Sequence, residues 1–252
     1  MSVRARRASS AACSSRSWTK VAVRIAALYD VHGNVHSLEA VLAEATDADV
    51  VLFGGDLASG PFPRETIDCA RSLEHVRFVL GNADVLSSPT PNPDWEVRRR
   101  WVEDQLDREQ VEWLAGLPFS WGADDTLFVH ANPVDVDGIV TERTPDERLR
   151  ELLRDVAERR VVTGHVHIQF ERKVDGVAWI GAGSVGMPYE GRPGAYWAIV
   201  TPDAVEFRRT DYDLERTAAA IRASGYPGAD ELAAENILTC PTPEEALAVF
   251  SP

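Results

Sequence analysis

Between Val21 and Leu80 the chain alternates short apolar runs with amphipathic stretches, and each apolar run stops at a polar, glycine-bearing segment. Val21–Tyr29 (VAVRIAALY) reads as a buried strand. Asn34 can cap a helix from Val35 to about Ala45, with Leu38, Val41 and Leu42 on one face. Val50–Phe53 reads as a second strand, Arg64–Leu73 as a helix after Pro63, and Val76–Leu80 as a third strand. This β-α-β-α-β order predicts an α/β fold with a sheet connected through helical crossovers.

The second half changes character. After a proline-bearing loop at 81–94, Trp95–Gln105 and Arg108–Ala115 read as helices, Thr126–His130 as a strand, and Pro145–Arg159 as a charged helix with Leu149, Leu152, Leu153 and Val156 inward. Val161–Thr163 is a further strand. Ile168–Val174 and Val177–Ile180 flank Asp175-Gly176, a type I′ hairpin signal, and Ala195–Val200 and Val205–Arg209 flank a second turn. From Leu214 the pattern returns to helix. Two strand-rich halves covered by helices suggest two packed sheets with helices outside.

Five segments carry residues that suit chemistry, each at the end of an expected strand: Asp30-Val31-His32-Gly33-Asn34, Gly54-Gly55-Asp56, Gly81-Asn82-Ala83-Asp84, His130-Ala131-Asn132 and Gly164-His165-Val166-His167. Ligand sites in open α/β sheets lie beyond the carboxyl ends of strands. Asp30/His32 and His165/His167 are i, i+2 pairs, which in extended chain point to the same side. The neighbouring glycines permit sharp turns and close approach. Carboxylate and imidazole donors suit Mn, Fe, Zn, Ni or Co. Taken singly, each segment has a plainer reading: a capping Asp, a Gly-Gly-Asp turn, an Asn in a turn, or two histidines on a surface strand. Four of the chain's six histidines fall in these segments, and the ordered set argues against coincidence.

That ordered set, DxHG…GGD…GNxD…H…GHxH, resembles the calcineurin-like metallophosphoesterase superfamily. The DxHGN opening, a GNxD without histidine, and Gly181-Ala182-Gly183-Ser184-Val185-Gly186 are similar to its YfcE-like phosphodiesterase branch. The resemblance covers roughly Val23 to Asp211 and is specific through the order of its motifs. It implies the metallo-dependent phosphatase fold, a four-layer α-β-β-α sandwich of two facing mixed β-sheets flanked by helices. It also implies two divalent ions, Mn²⁺ first, with Fe, Zn, Ni or Co as alternatives. One ion would take Asp30, His32, Asp56 and His167. The other would take Asp56, Asn82, His130 and His165, with Asp56 bridging. Ions roughly 3.5–4 Å apart can hold a hydroxide for in-line attack on a small phosphodiester or phosphomonoester. Asp56, Asn82, Asp84 and His130 are the residues expected to carry catalysis.

Departures from the family pattern matter. Many relatives have a histidine after the Asn of GNxD that helps protonate the leaving group, whereas Ala83 stands here. Asp84 is adjacent, and capping or turn formation is its simpler role. His36 follows the first motif, with a solvated helix position as its plainer reading, and His75 reads as a surface residue. No arginine follows Gly55-Asp56, which lowers the case for a phosphoserine/threonine phosphatase. Asn34 and Asn132 could donate to phosphate or simply form turns. Gly181–Gly186 reads as a tight connection or a turn beside the site. Trp95, Trp101 and Trp113 read as helix packing rather than a base-stacking platform, and Arg98-Arg99-Arg100 as a solvated helix face.

Composition sets outer bounds. With 252 residues, 44% hydrophobic and 26% charged, the chain can bury a sizeable core. A net charge of −14 argues against tight non-specific binding to nucleic acid. Cys13, Cys69 and Cys240 are odd in number and widely spaced, which fits a reducing compartment, and cytoplasmic location is expected. No apolar run reaches the ~18 residues of a membrane span. Residues 1–20 are basic, Ser/Ala-rich and free of acids. They share the composition of transit peptides, but a disordered arm or a mis-assigned start codon accounts for them more simply. The rest, 21–252, is expected to be one domain with a helical C-terminal segment. A non-catalytic metal-binding scaffold and a nuclease are the competing functions. Complete ligand positions weigh against the first, and the acidic charge weighs against the second.

Overall fold

In the computed structural model, residues 23–87, 90 and 92–250 are described. The expected basic arm at 1–20 lies outside them. Ten strands among the described residues form two five-stranded sheets. In the first, β1 (Ile25–Leu28) pairs in parallel with β2 (Val50–Phe53), and β2 with β3 (Val76–Phe78). On the other side of β1 lies antiparallel β9 (Ala195–Val200), followed by β10 (Val205–Thr210). The second sheet runs in the order β4 (Ser120–Ala123), β5 (Thr126–Val129), β6 (Arg160–Thr163), β8 (Val177–Ala182) and β7 (Gln169–Val174), with β5, β6 and β8 parallel.

Strand alternation divides the apolar residues into layers. Ile25, Ala27 and Tyr29 face inward and meet Phe128, Val162 and Ile180 of the second sheet. Ala26 and Leu28 face the other way, against Leu38 and Val41 of α1 (Val35–Glu44) and Ile67 and Ala70 of α2 (Pro63–Arg71). Helices α3 (Pro93–Gln105) and α4 (Arg108–Ala115) extend that layer through Val102 and Leu114. On the outer face of the second sheet, Val161 and Trp179 pack with Leu149 and Leu152 of α5 (Asp146–Leu152) and Leu247 of α8 (Pro243–Phe250). The result is the expected four-layer α-β-β-α sandwich.

Between them, α6 (Leu214–Ala223) and α7 (Ala229–Leu232), which continues into a π-helical turn over Ala233–Leu238, pack through Ala218, Ile221, Ala233 and Ile237. Tyr226, in the connection, meets Trp101 of α3 edge-on at 5.3 Å.

Two elements depart from expectation. The charged helix ends at Leu152 rather than Arg159. Leu153 and Val156 still pack on the core, but as turns leading back into β6. The edge strand β4 was not anticipated. Its hairpin to β5 turns on Asp124 and Asp125, both at positive φ (46° and 62°), so an Asp-Asp pair makes the turn that Asp175-Gly176 makes between β7 and β8.

Candidate metal centre

All five motif segments follow the carboxyl ends of parallel strands, β1, β2 and β3 in one sheet and β5 and β6 in the other. The loops are tied to one another by backbone bonds. Asp30 N–H donates to Gly55 O at 3.1 Å, His32 N–H to Asp56 O at 2.9 Å, and Gly164 N–H to His130 O at 2.9 Å. Across the two sheets, the His165 N–H donates to Asp30 Oδ2 at 2.8 Å. Gly164 permits that approach, because a Cβ there would lie 2.2 Å from Asp30 Oδ2.

Two groups of ligand atoms result: Asp30, His32 and His167 in one, Asp56, His130 and His165 in the other. In the first, His32 Nε2 and His167 Nε2 face each other at 3.1 Å, and Asp30 Oδ1 lies 3.3 Å from His167 Nε2. In the second, Asn82 Oδ1 lies 2.9 Å from His130 Nε2 and 3.1 Å from His165 Nδ1. Asp56 Oδ2 sits between the groups, 3.5 Å from His130 Nε2 and 3.8 Å from His32 Nε2. The seven sequence-nominated ligand positions therefore converge, and the two histidines of Gly164-His165-Val166-His167 divide between the groups.

The imidazoles are oriented from behind by main-chain carbonyls. His32 Nδ1 lies 3.2 Å from Ser59 O, His130 Nδ1 3.0 Å from Gly54 O, and His167 Nδ1 2.6 Å from Met187 O. Such outer contacts fix ring tautomer and direction, which leaves the Nε2 of these three to face the centre. His165 is reversed, with Nε2 3.1 Å from Asp137 O and Nδ1 toward Asn82.

The means of presentation differs from the expectation of extended pairs. Asp30, His32, Asp56, His165 and His167 all hold left-handed backbone, with φ of 52°, 47°, 53°, 67° and 58°. Non-glycine residues seldom adopt this region, and clustered occurrences mark sites where the surroundings impose it. Here each strand turns sharply as it ends, which throws the side chain across the sheet edge.

Electrostatics follow from three buried imidazoles beside two buried carboxylates. Burial opposes charge on Asp30, but His167 and His130 nearby hold its carboxyl below the usual range. Asp56 is likewise lowered, with burial opposing and His130 and His32 prevailing. Burial works against a proton on His130, yet the Asp56 and Asp30 carboxylates raise it to about 10. Burial lowers His32 and His165.

These residues fit a pair of divalent ions. Asp30 Oδ1 is buried without a hydrogen-bond partner among the described residues, in a shell of imidazole nitrogens. A buried oxygen left this way calls for a cation or an ordered water. The donor set of carboxylate, imidazole and amide oxygen, without thiolate, suits first-row divalent metals.

Asp84, expected among the catalytic residues, is turned into the protein. Its Oδ2 accepts the N–H groups of Asp56 (2.9 Å) and Gly81 (3.0 Å), and its Oδ1 accepts that of Leu57 (2.9 Å). Burial and the Asp56 carboxylate raise it to about 7, against the pull of these donors. Asn34 and Asn132 are both engaged in hydrogen bonds within the protein. Asn34 Oδ1 caps α1 through the Ser37 N–H and its amide donates to Gly186 O, while Asn132 bonds within 132–138. His36 packs edge-on against Phe62 at 5.3 Å, and His75 is exposed.

Segment 181–186 does more than connect. Ser184 Oγ donates to Asp30 O at 2.7 Å, and the Val185 and Gly186 N–H groups bond Tyr29 O and Asp30 O. Sequence reasoning quoted Ser184 within that motif but gave it no role, and it missed the stacking of Tyr189 on His167 (centroids 4.8 Å apart, planes 26°), which carries no motif signature. It also assigned Trp95 to packing. Instead Trp95 is 46% exposed and, with Arg98, Arg99, Ala83, Tyr189 and Phe250, lines a cleft of about 530 Å³ that opens on the centre.

The profile of the calcineurin-like phosphoesterase superfamily domain matches residues 23–204. Similar solved structures include a metallophosphoesterase from Sphaerobacter thermophilus, 28% identical with a TM-score of 0.73, covering 84% of this chain and 98% of that one. A hypothetical protein from Pyrococcus horikoshii is 19% identical with a TM-score of 0.75, covering 84% and 97%. The phosphoesterase Yfce of E. coli is 16% identical with a TM-score of 0.44, covering 73% and 91%. No curated protein sequence matches the chain. The profile match takes in all five motif segments, and this chain belongs to the calcineurin-like phosphoesterase superfamily.

Proposed function

We propose that the chain is a two-metal hydrolase of small phosphate esters, phosphodiesters or phosphomonoesters, with Mn²⁺ as its first metal. The observation that carries this reading is the place of Asp56, whose Oδ2 lies between two ligand groups that each hold further imidazole donors. Asp30, His32, Asp56 and His167 would hold one ion, and Asp56, Asn82, His130 and His165 the other. When bound, the ions supply Lewis-acid activation of water and neutralise charge on the phosphoryl oxygens.

The chain's own residues supply the rest. Asp56 is held at both ends, its Oδ1 by the Ala83 N–H at 2.8 Å and its backbone by Asp84, so Oδ2 cannot swing from the centre. Tyr189 and Phe250 wall the cleft beside His167. At Ala83 the cleft lining has a methyl group and no proton donor.

The test is hydrolysis of bis-p-nitrophenyl phosphate against p-nitrophenyl phosphate, with chelated protein and with Mn²⁺ restored. Turnover that returns with the metal supports the reading, and the preferred ester sets diester against monoester. No turnover of either ester, in protein carrying two metals per chain, sinks it.

A further inference from the structure

Trp95 is out of place for a tryptophan. Its position on α3, seven residues before the fully buried Val102, puts it on the core-facing side of the helix. Yet the helix overhangs the cleft at this end, and nearly half of the indole stays exposed on the same cleft that His32, Asp56, Asn82, His165 and His167 line.

Its neighbour Arg98, one turn on, is pinned. Its guanidinium lies over one face of the Trp95 ring, 5.7 Å from the centroid, and pairs with Glu231 of α7 at 2.7 Å. Gly228 lies against it so closely that a Cβ there would come 2.5 Å from Nη2. The Glu231 bond engages one nitrogen, and the other guanidinium N–H groups make no hydrogen bond among the described residues. Arg99, by contrast, is consumed by Glu96, Glu103 and the Leu86 carbonyl. Tyr189 has one ring face spent on His167. Among these groups, then, Trp95 keeps exposed ring surface beyond the face that Arg98 covers, and Arg98 keeps donors that no described residue engages.

We propose that Trp95 and Arg98 form the subsite for the organic group of the ester, and that this group is a flat aromatic ring carrying hydrogen-bond acceptors, as in a single nucleoside. The proposal rests on the phosphoesterase reading for the phosphate and adds what the phosphate is attached to. A volume of about 530 Å³ suits a ligand of that size, where a small alkyl ester would leave the α3 wall untouched. Indole stacking selects for a π face and tolerates different rings, and the guanidinium beside it takes ring acceptors. The chain's acidity argues against a long polyanion and leaves room for one nucleotide.

The test compares two diesters with one leaving group, thymidine 5′-(p-nitrophenyl phosphate) and methyl p-nitrophenyl phosphate, on full-length Mn²⁺-loaded protein. The wild type should favour the nucleoside ester in kcat/KM. Trp95→Ala should lower the ratio of the two by about tenfold, mostly through KM, while Trp95→Phe keeps most of it. A ratio unchanged in Trp95→Ala overturns the proposal. Calorimetric titration with thymidine 5′-monophosphate supplies an arm independent of turnover. If the wild type hydrolyses neither ester, the phosphoesterase reading has failed. The subsite then stands if Trp95→Ala weakens thymidine 5′-monophosphate binding, and falls if the affinity is equal.

Discussion

Asp84 holds Asp56 by its main chain, accepting the Asp56 N–H at 2.9 Å while its second oxygen accepts that of Leu57 at 2.9 Å. One buried carboxylate thus sets the turn that carries the candidate bridging ligand. Asp84→Ala would strand three buried N–H groups, and the unmade bonds should destabilise the protein by about 3 kcal/mol. Metal affinity should fall by about 10–100-fold, because the ligand loses its support. Urea unfolding and metal content check both effects. Full metal content in the variant would refute the clamp.

Asp56→Asn removes the charge that lies between the two ligand groups. Turnover should drop to background and at least one ion should be lost. Elemental analysis beside the p-nitrophenyl assays decides it, and an active Asp56→Asn protein is incompatible with a bridging carboxylate.

Ala83, next to the candidate ligand Asn82, presents a methyl group to the cleft. Ala83→His should raise rates most for esters with basic leaving groups, since a general acid typically contributes about 10²–10⁴-fold. The slope of log kcat against leaving-group pKa should flatten. An unchanged slope would mean that protonation of the leaving group does not limit the reaction.

Glu190 sits behind the His167 loop, where its carboxylate accepts the Gln169 N–H and burial raises its pKa to about 7. A folded-state pKa above the unfolded value means that the proton favours folding. That contribution is complete below the unfolded value of 4.5 and is lost as pH rises through about 7. Glu190→Gln keeps an acceptor without the charge. Its Tm should exceed the wild type's at about pH 8, and the difference should shrink by about pH 5. A difference that does not vary with pH would contradict the shift.

The layers and the ligand set were legible because each rests on a local signal. Apolar runs of strand length gave β1, β2 and β3, and Asp175-Gly176 gave the β7–β8 hairpin. What stayed hidden depends on packing between distant segments. Asp124-Asp125 lacks the glycine that advertises a tight turn, so β4 was missed. Asp84 reads alike as catalyst or clamp until Leu57 and Gly81 are placed around it. Trp95 shares its helix face with buried Val102, and only the cleft beneath the start of α3 separates their fates.

The left-handed backbone at Asp30, His32, Asp56, His165 and His167 has an evolutionary consequence. Glycine at any one of them would relax the main chain by roughly 1 kcal/mol. A lineage released from the need for chemistry would drift toward such replacements, because each gains stability as it discards a ligand. All five side chains are in place here, so one small centre concentrates the backbone strain of five left-handed residues.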